Sequence, residues 1–198
     1  MKKLVLIFSA TIFLTLSNHA QQVHFGLKAG VNFAKLSQEP EADYEMKTGV
    51  HVGGLAHIHI SDQFAVQPEL MYSTQGTKFE NLVAKRDYLN IPVLAQFMFG
   101  EGFRLQTGPQ VGFLISAKNK NGDTETEVND YLETVDFAWV IGTSYLFPGG
   151  IGIDARYNHG LSDVYEDNTI KQNNRVFQVG LFYQFMHNNK TKTHTQTK

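Results

Sequence analysis

Cysteine is absent from the 198 residues, which excludes a disulfide framework and thiol chemistry. Tryptophan occurs once and proline five times. Charge is scarce too: Asp, Glu, Lys and Arg make up 18% of the chain and nearly cancel, leaving a net −2. No basic stripe is present, so nucleic acid is not an expected partner. Beyond the first 20 residues no apolar run approaches the ~20 residues that a helical membrane span needs. What remains is a chain rich in Phe (15), Tyr (8) and Gly (17), a balance that suits a transmembrane barrel or a soluble all-β protein.

The N-terminus has Lys2 and Lys3, an apolar run from Leu4 to Leu16, then Ser17-Asn18-His19-Ala20. A charged start, a short apolar stretch and a small residue before the cut make a secretory signal peptide. The expected division is a signal peptide over 1–20, one β-barrel domain over 21–186 and a disordered polar tail over 187–198. The tail, ending in Lys-Thr-His-Thr-Gln-Thr-Lys, has no periodicity.

The stretch from Gly49 to Gln75 sets the pattern for the rest. Val50, Val52, Ala56, Ile58 and Ile60 fall on one face and His51, Leu55, His57 and His59 on the other. After Ser61-Asp62-Gln63 the alternation resumes, with Phe64, Val66, Pro68, Leu70 and Tyr72 opposite Ala65, Gln67, Glu69, Met71 and Ser73. A period of two marks strands. The same pattern recurs at 23–33, 88–99, 103–116, 136–147, 151–159 and 175–185. Eight strands of about ten residues, joined alternately by tight turns and long polar loops, predict an all-β fold. Its form is an eight-stranded antiparallel up-and-down transmembrane β-barrel. Pro68, Pro92 and Pro109 fall inside these segments, where each removes a ladder donor, and are expected at bulges or strand ends.

Alternation by itself also fits a soluble lipocalin-like carrier of small molecules, whose cavity would take the apolar faces. The apolar faces carry no charge in any of the eight segments, whereas a soluble exterior collects Lys and Glu. Aromatics such as Phe25, Phe33, Tyr72, Phe99, Phe103 and Tyr157 fall near strand ends, as interfacial girdles do. The membrane reading is preferred.

The segments HFGLKAGVNFAKLS, FAVQPELMYSTQG, DYLNIPVLAQF, LQTGPQVGFLISAK and YNHGLSDV resemble the PorT-like outer-membrane β-barrel family typical of Bacteroidota. That resemblance implies a small barrel in the outer membrane of a Gram-negative bacterium. Its partners would be outer-membrane lipid and, during biogenesis, the barrel-assembly machinery. Tyr183-Gln184-Phe185 resembles the terminal aromatic signal that this machinery reads, although thirteen residues follow it.

Lys28, Glu69, Arg104, Asp136, Asp154 and Arg156 lie on the polar faces and are expected to form a charge network in the lumen, bridged by amides. His51, His57 and His59 share one face, with His24 beside them on the first strand, and are candidate metal ligands; hydrogen-bonded interior histidines are the plainer reading. The acidic loops around Glu41 and Asp123 read as solvated faces, with weak calcium binding the lesser alternative. His159, Ser162 and Asp163 lie close in sequence, but a triad is defined by geometry, and no catalytic residue or cofactor is expected. The function expected is a non-enzymatic structural or binding role through extracellular loops. An accessory part in protein secretion and an outer-membrane enzyme are the remaining alternatives.

Overall fold

A computed structural model describes residues 22–38, 45–79, 82–122, 124–128, 133–162 and 172–185. The expected signal peptide and polar tail lie outside the described residues. Among the described residues there are nine strands: β1 (Val23–Gln38), β2 (Glu45–His59), β3 (Phe64–Phe79), β4 (Leu82–Phe99), β5 (Phe103–Asn121), β6 (Thr124–Glu127), β7 (Val135–Leu146), β8 (Ile151–Gly160) and β9 (Gln172–Gln184). Eight of them close a barrel in the cyclic order β1-β2-β3-β4-β5-β7-β8-β9, every neighbour antiparallel, and β6 adds only to the end of β5. Closure leaves these eight without a free edge, which is what a sheet surrounded by hydrocarbon requires.

Each strand shows the expected two faces. On β9, Leu181 is 61% exposed while its neighbour Phe182 is 5% exposed, and the same alternation runs round the whole wall. The apolar faces all point outward and the polar faces inward. A carrier with an apolar cavity needs the reverse, so the lipocalin-like alternative is overturned.

At one end the turns are short. The β4–β5 connection places Gly100 at φ +61° and Gly102 at φ +140°, and the β7–β8 turn has Gly149 and Gly150 at φ +104° and +91°. Only glycine enters this left-handed region without strain, so the sequence dictates both turns. The opposite end departs from expectation. Residues 76–79 and 82–87, expected within a loop, continue β3 and β4 as a ladder from Gly76↔Lys85 to Phe79↔Leu82. β5 likewise runs on to Asn121 and turns back through β6. A bulge lies on β5, where Asp87 pairs with Ser116 but Tyr88 pairs with Leu114. The extra residue, Ile115, inverts the alternation beyond it, so Ala117 is fully buried and Ser116 does not continue the inward row.

The three strand prolines are not at bulges or ends. Pairing is interrupted beside Pro68 on the β2 side and beside Pro109 on the β4 side; on β4 it stops between Pro92 and β3. Register is the same on either side of each gap. A missing donor is therefore absorbed as a local break rather than a slip.

Candidate functional site in the barrel interior

Period-two alternation brings one side chain in two to the lumen, and small residues make room for large ones. Gly30 pairs with Gly180 across β1 and β9. A Cβ built on Gly30 would lie 2.7 Å from His51 Cε1, and one on Gly180 would lie 3.0 Å from His51 Nε2, so the imidazole is seated over two glycines. Filling a narrow barrel by pairing large with small is the usual packing solution.

Four of the six predicted charges meet at one level. Lys28 Nζ on β1 lies 2.9 Å from Glu69 Oε1 on β3 and 3.3 Å from Asp154 Oδ2 on β8. Arg156 Nη1 on β8 donates to Glu69 Oε2 at 2.8 Å, and its Nε lies 3.7 Å from Asp154 Oδ1. All four are buried. β3 and β8 are four strands apart in a ring of eight, so the Arg156–Glu69 bond crosses the full width of the lumen. Two cations and two anions leave the cluster neutral, which limits the desolvation penalty of burying it.

Amides complete the cluster. Gln67 Nε2 donates to Glu69 Oε1 at 2.8 Å, Gln106 Nε2 donates to Asp154 Oδ2, and Arg156 Nε donates to Gln178 Oε1 at 2.8 Å. Gln178 then donates to Asn32 Oδ1 at 2.7 Å; Asn32 in turn donates to Ser73 Oγ at 2.9 Å and pairs with His51 Nδ1 at 2.7 Å. Arg104 is separate, donating to Gln184 Oε1 at 3.1 Å with its guanidinium carbon 5.9 Å from the Phe182 ring. Asp136 also stands apart, near the end with the long strands. It accepts from Ser162 Oγ at 2.6 Å and from Asn174 Nδ2 at 3.0 Å. Above it Leu36, Ala117, Leu114 and Val128 form a small apolar cluster.

The histidines divide. His51 belongs to the Asn32 network, whereas His57 and His59 stack edge-on at 4.6 Å near the short-turn end, with His24 5.6 Å from His59. Among the described residues no three His, Asp or Glu side chains are arranged to hold a metal ion. His159 points outward beside Tyr157, while the Ser162 hydroxyl donates to Asp136, so the two do not form a catalytic pair. Asp163 lies outside the described residues.

Residues 19–166 match the family model described as outer membrane protein beta-barrel domain. The chain belongs to this family. Its barrel is similar to that of Neisserial surface protein A, with a TM-score of 0.61 at 16% identity over 81% of this chain and 97% of that one. Ail, the attachment invasion locus protein of Yersinia pestis, gives 0.54 at 14% identity over 83% and 99%. Ail in complex with the heparin analogue sucrose octasulfate gives 0.52 at 13% identity over 83% and 99%. At these identities the likeness is one of fold. No curated protein matches the sequence.

In an outer-membrane barrel the outward faces meet lipid, and their aromatics fall into two belts. At the short-turn end Phe64, Phe97, Phe99, Phe103, Tyr145 and Phe147 are in sequential ring contact, with centroids 4.8–6.0 Å apart. Tyr183 and Phe185, the candidate assembly residues, lie in this belt with their rings 5.3 Å apart. At the other end Phe33 stacks on Phe177 at 6.5 Å, and Phe177 pairs with Tyr157. From Phe177 to Phe185 the chain advances eight residues, about 26 Å along the strand, which a tilt of about 40° projects to about 20 Å, the inner part of the ~25 Å apolar band of outer-membrane barrels.

Sequence reasoning placed the charged residues on the inner face but did not single out Asn32, Gln106 or Gln178. The available signal was parity: each falls in step with a neighbouring inward residue. Which of them meet across the lumen depends on strand stagger, which no local pattern records.

Proposed function

We propose that this protein is a non-enzymatic outer-membrane barrel with a plugged lumen, whose role is structural or is binding through its outward β-hairpins. The observation that carries the reading is the Arg156–Glu69 bond across the lumen, at 2.8 Å. An eight-stranded wall leaves an interior that side chains can fill, and a salt bridge across it occupies the path an ion would take. On this reading residues 1–20 direct export, the short turns face the periplasm and the extended ends of β3, β4, β5 and β6 project from the cell. The barrel-assembly machinery would read Tyr183 and Phe185. The resemblance to PorT-like barrels supports a member of that group, without transferring a part in secretion.

Gel mobility and surface labelling test this reading together. The folded chain, extracted in detergent, should migrate faster unboiled than boiled. Because the chain has no cysteine, Asn121→Cys provides a single thiol at the exposed end of β5. A membrane-impermeant maleimide should label it on intact cells. A chain that stays soluble without detergent and shows no mobility shift contradicts the barrel, and a thiol labelled only after lysis contradicts its orientation.

A further inference from the structure

Among the described residues, two places on the outer surface set like charges directly opposite each other on paired strands. On β4 and β5, Lys85 faces Lys118; on β1 and β9, Lys35 faces Arg175. Side chains directly opposite in a ladder have Cβ atoms about 5 Å apart, and like charges there repel. At the first place the fold supplies the remedy. Glu125, carried by β6, lies 3.1 Å from Lys118 and 3.7 Å from Lys85. At the second, no carboxylate among the described residues lies within ion-pair distance of Lys35 or Arg175, and both side chains are exposed.

The position of the second pair is specific. Phe33 faces Phe177, which faces Tyr157; two residues further along each strand, Lys35 faces Arg175, which faces His159. The basic row therefore sits one step beyond the aromatic belt, the level of lipid head groups. Neighbouring strands are about 4.8 Å apart, so two cations on adjacent strands can close on one doubly charged oxyanion. Arginine's planar fork matches phosphate, and lysine adds a point charge.

We propose that Lys35 and Arg175, flanked by His159, form a docking site for the phosphate monoester of an outer-leaflet glycolipid head group. The proposal rests on the orientation given above, with the long-strand end outside. The external phosphate would play for this pair the part that Glu125 plays for Lys85 and Lys118.

The test uses the full chain refolded in phosphatidylcholine nanodiscs doped with bisphosphorylated lipid A or with its fully dephosphorylated form. Lipid association is followed by native mass spectrometry and by the fluorescence of Trp139, which faces His159 across β7 and β8. The wild type should retain the phosphorylated lipid preferentially. Lys35→Gln with Arg175→Gln should weaken that retention about thirtyfold, since each basic residue at an anionic surface contributes about a fivefold step. Lys35→Arg should preserve it, and Lys85→Gln with Lys118→Gln should leave it within about threefold. Equal retention of both lipids by the wild type, or undiminished retention by the Lys35/Arg175 double variant, would overturn the proposal. So would an equal loss in the Lys85/Lys118 variant, which would mean diffuse attraction, or displacement by millimolar inorganic phosphate, which would mean a site for the free anion. The gel shift and the Asn121→Cys labelling are read on the same preparations. Their failure overturns the barrel or its orientation, whereas their success with lost lipid discrimination overturns only the docking site.

Discussion

The inner and outer faces of each strand are built from the same backbone but to opposite rules. Outside, Leu27, Ile141, Ile151 and Leu181 are among the most exposed large side chains; inside, Lys28, Glu69, Asp154 and Arg156 are among the most buried. In water both choices would cost free energy. In a membrane the exterior is solvated by hydrocarbon, so exposed apolar atoms are neutral, and polar groups are sheltered where they can bond one another. The interactions that hold this molecule together are therefore concentrated in groups that a soluble protein would place on its surface.

The largest loss of stability is expected inside the barrel. Glu69→Gln leaves Lys28 and Arg156 with one carboxylate fewer and should cost about 3–5 kcal/mol, as loss of one partner of a buried ion pair does. Urea unfolding from phosphatidylcholine vesicles, followed by Trp139 fluorescence, measures it. Replacing both Lys28→Met and Glu69→Leu should cost much less, because charge is then removed in balance. A double variant as unstable as the single one would show that the cluster acts through packing instead.

From outside, Leu181→Arg lies midway between the two aromatic belts and should cost about 2–4 kcal/mol in the same assay. Met46→Arg, equally exposed but on the extended end of β2, should change stability by less than about 1 kcal/mol. Equal effects at both positions would place the membrane band wrongly. A smaller loss, about 1–2 kcal/mol, is expected for Ser162→Ala, which takes one hydrogen bond from the Asp136 carboxylate.

The smallest effect belongs to the solvent-facing pair of Lys118 and Glu125. The hydrogen bond and charge of Lys118, with help from Lys85, hold the Glu125 carboxyl below its usual range. A lowered carboxyl contributes stability above its unfolded-state pKa and loses it as pH falls through the folded-state value. Screening keeps that contribution small, so Glu125→Gln should leave the neutral-pH unfolding midpoint unchanged within error. A clear shift would mean that the β5–β6 hairpin is coupled to the barrel wall.

Much of this was legible in the sequence because side-chain direction on a strand is a matter of parity. The inward or outward facing of Leu55, Glu69, Phe97 and Leu181 follows from counting by two. The extension of β3 and β4 was not, since Gly76, Lys78, Lys85, Arg86 and Asp87 are polar or turn-forming residues and read locally as loop. In the structure Gly76 adopts φ +135° within the strand rather than ending it. The Ile115 bulge leaves no local mark either. For the interior, parity identified the inward charges, but only closure of the sheet sets Glu69 against Arg156 and leaves Asp136 with Ser162 and Asn174.

The most direct test of the central claim is ion conductance of the refolded wild-type chain in a planar bilayer. A lumen crossed by the Arg156–Glu69 bond should show no steady open level at moderate voltage. A stable conductance whose ion selectivity changes with Arg156→Gln would contradict the plug and make the same residues the lining of a pore.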